Sequence, residues 1–136
     1  MSAASFSIKS TASDRELVFH TPQRDYFIAE LRGSSLGATR EVYAYTDAKG
    51  LAGFFSRLAV HKRPWSSVER WESLEGEFLL QAACSALGHV TFSVRIREML
   101  GGPEEWQVSA NLVTELGQLP GIASHAEFFF NVVAGA

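Results

Sequence analysis

An α+β fold with a mostly antiparallel sheet follows from three features of this sequence. Apolar residues alternate strictly with polar ones between 78 and 112, the period of half-buried strands. Two other stretches, 51–58 and 119–133, repeat apolar residues at helical spacing. The connections between the alternating runs are also short, and a parallel crossover needs roughly a dozen residues or more. Together these predict about six to seven strands, three of them a meander in the C-terminal half, covered by two helices.

The elements follow in order. Phe6 and Ile8 alternate with Ser5, Ser7 and Lys9. Leu17 and Phe19 alternate with Glu16, Val18 and His20, and Thr21-Pro22 predicts a break. Phe27, Ala29 and Leu31 form the third strand, and Gly33 to Gly37 a turn. Arg40 to Thr46 is the fourth, with Val42, Tyr43 and Tyr45 suited to a sheet. Leu51, Phe54, Phe55 and Leu58 then fall on one helical stripe, with Asp47 as its N-cap and Pro64 ending the region. Gly50 and Gly53 weaken that helix by about 1 kcal/mol each relative to alanine.

The meander has Phe78, Leu80, Ala82 and Cys84 on one strand face. Val90, Phe92, Val94 and Ile96 follow on the next, and Trp106, Val108, Ala110 and Leu112 on the last. Ser85 to Gly88 makes a short hairpin, and Gly101-Gly102-Pro103 breaks the next connection. Leu119, Ile122, Ala123, Ala126, Phe129, Phe130 and Val133 form the final helical stripe, with Pro120 in the first turn, where its missing N–H costs nothing.

Composition bounds the function. The chain has 136 residues, 46% hydrophobic and 20% charged, which fits one globular domain spanning 1–136 and not a disordered or coiled-coil chain. No apolar run is long enough to cross a bilayer, so no membrane partner is expected. The net charge of −3 lacks the basic surplus that phosphate binding uses, so nucleic acid is not expected either. The charge is uneven. Residues 1–68 hold nine basic and six acidic residues, net +3, while residues 69–136 hold three and nine, net −6. A lone cysteine, Cys84, and a start (Met1 to Ser5) without a cationic and apolar leader predict a cytoplasmic location.

Candidate chemistry is sparse. His20, His61, His89, His125 and Cys84 show no zinc-type spacing, so no metal or other cofactor is expected. Strand parity sends Cys84 to the core and His89 to the wet face, which argues against a Cys–His dyad. No GxSxG elbow is present, and the glycines at 33–37 and 50–53 match neither phosphate-binding motif. No catalytic residue is assigned. Glu69, Glu72, Glu75 and Glu77 crowd one segment beside Trp65 and Trp71. Paired carboxylates with aromatics can do glycoside chemistry, but a chain this short with so many strands leaves little material for a deep cleft. A solvated acidic rim is the simpler reading. Arg57, Lys62 and Arg63 near Trp65 add a mixed-charge setting that suits a protein partner better than phosphates. The expected function is therefore non-enzymatic protein binding through Trp65, Glu69, Glu72, Glu75 and Glu77, with Trp71 as a buried anchor. The alternative is a small enzyme or ligand binder, with a pocket between helix and sheet and Glu72, Glu75 or His89 at its mouth.

Three runs carry a family resemblance: Trp71-Glu72-Ser73-Leu74-Glu75-Gly76-Glu77, Gly88-His89-Val90-Thr91-Phe92-Ser93-Val94 and Gly117-Gln118-Leu119. With the stretch from Phe27 to Phe55, they resemble a family of small bacterial α+β proteins known as a domain of unknown function. The likeness runs from about Tyr26 to Phe130, and its motifs are structural ones. The layout is also similar to that of immunity proteins, small acidic binders that neutralise toxins in bacterial competition. That resemblance implies a protein partner and no enzymatic activity.

Overall fold

The computed structural model describes residues 5–45, 47–99 and 101–135. Met1 to Ala4, read above for a leader, and Thr46, the expected end of the fourth strand, lie outside the described residues. The chain runs β1 (Phe6–Lys9), β2 (Glu16–Gln23), β3 (Tyr26–Gly33), β4 (Leu36–Tyr43) and α1 (Ala48–Ala59). It continues as β5 (Glu69–Glu72), β6 (Phe78–Cys84), β7 (His89–Glu98), β8 (Trp106–Glu115) and α2 (Leu119–Val133).

The fold is α+β and antiparallel, but the strands form two sheets of four, not one of six to seven. Their orders are β1-β2-β3-β4 and β5-β6-β7-β8. Each strand pairs with its sequence neighbour, and a helix closes each meander. Three local differences follow, of which β5 alone raises the count, to eight strands. β2 runs on through Thr21 and Pro22, where the sequence predicts a break. β4 starts at Leu36, because Gly33 pairs directly with Leu36 across a two-residue turn. β5 was not foreseen: Glu-Arg-Trp-Glu holds one apolar residue, too few to show a period.

The β2–β3 pairing is irregular between His20 and Gln23. Thr21 there has φ 52°, and Asp25 in the following turn has φ 69°. A β-branched residue in the left-handed region is strained by about 1–3 kcal/mol and persists only where its surroundings enforce it. Asp25, of a type that tolerates this region, is tied down in the turn: its N–H donates to the Val133 carbonyl (2.8 Å), and Ala44 N–H to the Asp25 carbonyl (2.8 Å).

One core serves both sheets and both helices. Val90, Phe92, Val94 and Ile96 are buried, as the meander predicts. Nine of the ten phenylalanines are buried as well: Phe6, Phe19, Phe27, Phe54, Phe55, Phe78, Phe92, Phe129 and Phe130. Their rings cross between the halves of the chain, with Phe19 on Phe78 at 5.9 Å, Phe55 near Phe92 at 6.3 Å and Phe6 on Phe129 at 5.4 Å. Edge-to-face contacts of this kind add to the area they bury. α1 and α2 pack on each other. Cys84 departs from its expected place and is half-buried at the end of β6. Val18, on the opposite strand parity from Phe19, is also buried.

Between the sheets the ties are at corners. Thr11 N–H donates to the Val113 carbonyl (2.8 Å), and Val113 N–H to the Ser10 hydroxyl (3.2 Å). At another corner Arg40 faces Glu98 at 3.6 Å, and Tyr43 N–H donates to the Glu77 carboxylate at 2.9 Å. Among the described residues no helix is long and apolar enough to cross a membrane.

A tyrosine and carboxylate face as candidate functional site

The second corner builds the most distinctive surface of the molecule. Tyr26 opens β3 and Tyr43 closes β4, and antiparallel register sets them opposite each other. Their rings lie 5.1 Å apart. Tyr45 stacks on Tyr43 at 6.0 Å and 6°. All three tyrosines of the chain thus form one aromatic ladder. Tyr45 is half exposed, and Tyr26 shows more than a third of its surface.

Carboxylates border the ladder. A cavity of about 290 Å³ is lined by Tyr26, Arg40, Glu41, Tyr43, Glu75 and Glu77. Glu77 is its buried end, only 4% exposed. It accepts hydrogen bonds from Tyr43 N–H and from the Ser73 hydroxyl, so its oxygens are met by protein donors. Ser73 Oγ also accepts from Phe78 N–H (3.0 Å), which completes the β5–β6 turn. Gly76 in that turn has φ 78°, a conformation that favours glycine. Partial burial in the first place, then the neighbouring phenols Tyr26 and Tyr45 and carboxylates Asp25 and Glu75, push the Tyr43 phenol above its ordinary range. It therefore stays protonated and can donate a hydrogen bond. Arg40 also lines the cavity, donating to the Glu41 carbonyl and facing Glu98, so the face carries one cation among its carboxylates.

The other sequence-predicted residues sit in different surroundings. Glu69 and Glu72 have opposite parity on β5. Glu69 pairs with Arg57 of α1 at 3.0 Å. Glu72 pairs with Arg70 at 2.9 Å and Arg95 at 2.8 Å. Trp65 stacks on His61 at 4.3 Å, in an open groove of about 580 Å³ shared with Cys84. Of the predicted set, the structure brings only Glu75 and Glu77 together at one cavity. It also corrects the picture of a uniformly solvated rim, since Glu77 is internal. Trp71 is buried, as expected, and its indole N–H donates to Asp47 at 2.8 Å. Asp47 precedes α1 but makes no side-chain cap bond.

A pocket of about 220 Å³ opens where the start of α1 meets the end of α2, with no strand residue in its lining, so it is not the pocket expected between helix and sheet. It is lined by Asp25, Ala44, Ala48, Lys49 and Ala134, and none of Glu72, Glu75 or His89 lines it. His89 instead pairs with Glu115 at 2.9 Å, with both side chains about half exposed. Among the described residues no three His, Cys, Asp or Glu side chains gather as metal ligands would. Sequence reasoning missed Tyr26, Tyr43, Tyr45 and Glu41 as a group. The signal was present, since all the tyrosines flank the β3–β4 hairpin, but only the register shows that they touch.

No curated protein and no solved structure matches this chain. A family model does, over residues 8–133, from β1 to the end of α2. The chain belongs to the family of unknown function DUF6228.

Proposed function

We propose that this protein is a cytoplasmic binding domain that docks a cationic segment of a protein partner on its tyrosine and carboxylate face. The observation that carries the reading is the ladder of Tyr26, Tyr43 and Tyr45, tilted at the first contact and stacked at the second, beside Glu41 and Glu75. A lysine or arginine side chain gains over an aromatic face, by about 0.5–1 kcal/mol when exposed and more when desolvated. Neighbouring carboxylates add long-range attraction and speed the encounter. Glu77 serves from beneath, by holding Tyr43 in place. Glu72 is held by Arg70 and Arg95, and Trp65 and Glu69 also lie outside the cavity, so none of the three belongs to the docking face. An immunity role is the form of this reading in which the partner is a toxin with a basic surface.

The test uses a tetra-arginine peptide as probe, followed by titration calorimetry at low and physiological salt. The native protein should bind it more tightly than the Tyr45→Ala and Glu75→Gln proteins do, and binding should weaken as salt rises. Equal affinity in all three proteins would remove this face from consideration.

A further inference from the structure

On the outer face of the first sheet, the strained bulge of β2 brings together a second group of side chains. Adjacent strand residues normally point to opposite faces. The left-handed Thr21 breaks that alternation, and its hydroxyl lies 2.8 Å from His20 Nδ1. His20 Nε2 lies 3.1 Å from Glu30 Oε1, on the neighbouring strand. Arg32 holds Glu30 in turn, with Nε 3.1 Å from the other carboxylate oxygen. Pro22, which follows, has no N–H to compete for the hydroxyl.

The polarity of this chain of contacts is set by chemistry. Hydrogen bonds from Arg32 in the first place, and from His20, hold the Glu30 carboxyl below its ordinary range, so it is ionised and accepts only. With Glu30 accepting only, the neutral form of His20 carries its proton on Nε2 and donates it to Glu30. That leaves the Nδ1 lone pair to accept from the Thr21 O–H. A hydroxyl, an imidazole acceptor and a carboxylate that fixes the tautomer are the three parts of an activated nucleophile. His20 and Glu30 keep about a quarter of their side-chain surface in solvent, so a small molecule can reach them.

We propose that Thr21 is an acyl-accepting nucleophile, with His20 as its general base and Glu30 and Arg32 as positioning residues, and that its substrate class is small activated esters. Thr21 Oγ1 attacks the ester carbonyl carbon while its proton passes to His20 Nδ1. The bond from that carbon to the leaving alkoxide breaks, and the alkoxide takes the proton from His20. Thr21 then carries the acyl group as an ester. Water attacks the same carbon, gives a proton to Nδ1, and Oγ1 leaves and recovers it, so a carboxylic acid is released. This site lies on the same outer face of the first sheet as the tyrosines, with Ile28 between His20 and Glu41, but it shares no residue with the tyrosine cavity and does not rest on the docking reading.

The probe is 4-nitrophenyl acetate, with nitrophenolate release followed by absorbance and acetylation located by peptide mass spectrometry. The native protein should release nitrophenolate and show acetyl at Thr21, or turn over steadily. Release should fall about a hundredfold in His20→Gln, the usual contribution of a general base. It should be lost in Thr21→Asn, which tolerates the left-handed backbone, and persist in Thr21→Ser. Glu30→Gln should lower kcat and leave KM in place, with partial rescue in Glu30→Asp. Intrinsic tryptophan fluorescence in denaturant checks that each variant is folded. Equal release from the native, Thr21→Asn and His20→Gln proteins would overturn the proposal, as would acetyl found only on lysines or Cys84.

Discussion

Two carboxylates two positions apart, Glu75 and Glu77, live in different physics. Glu75 is exposed, and its replacement by glutamine should change stability by under about 0.5 kcal/mol. Glu77 is buried and satisfies Tyr43 N–H and the Ser73 hydroxyl. Its replacement by alanine orphans both and should cost at least about 1–3 kcal/mol in chemical denaturation. Trp71 is the larger anchor. Trp71→Ala should cost about 3–5 kcal/mol, and Trp71→Phe less, since part of the ring volume stays although the bond to Asp47 is lost. Glu30 gives the sign of a pH effect. Its folded value is depressed, so its contribution is fully present above its ordinary 4.5 and is lost as pH falls through the lower folded value. Arg32→Gln should therefore narrow the gap in stability between pH 6 and pH 3, read from thermal melts at the two pH values.

α1 reverses an expectation drawn from propensity alone. Gly50 looks like a weak point that alanine would strengthen. A Cβ at Gly50 would, however, run into the Asp47 carboxylate, which is held by the Trp71 indole. Gly50→Ala should destabilise the native protein by forcing Asp47 away from Trp71. In an Asp47→Ala background the same change should stabilise, and a double-mutant cycle measures the difference. Other elements were legible directly. The meander from Phe78 to Leu112 and both helical stripes show in the residue pattern, because each buries one face and polar residues fill the other. β5 was not legible, since a four-residue edge strand around one tryptophan has no measurable period. Neither was the split into two sheets, because periodicity shows which face of a strand is buried and not which strand it joins. The tyrosine ladder was hidden for the same reason: it needs the register of β3 on β4. The His20–Thr21 contact was hidden because a regular strand would keep those side chains apart.

At the scale of the whole molecule, two successive four-strand-and-helix halves share one aromatic core. Backbone hydrogen bonding lies mostly within each half, while side chains such as Phe19 with Phe78 and Phe55 with Phe92 cross between them. Unfolding should accordingly be one cooperative transition, with far-ultraviolet dichroism and tryptophan fluorescence superimposing across denaturant. Separate melting of the two signals would show that the halves are independent. The same layout makes the chain divisible at the stretch between α1 and β5, where no strand ladder would be cut. Each piece alone would expose half of a phenylalanine core and stay unfolded, and the two mixed would restore it. The molecule is thereby suited to use as a split reporter, whose signal returns only when two fused proteins bring its pieces within reach of each other.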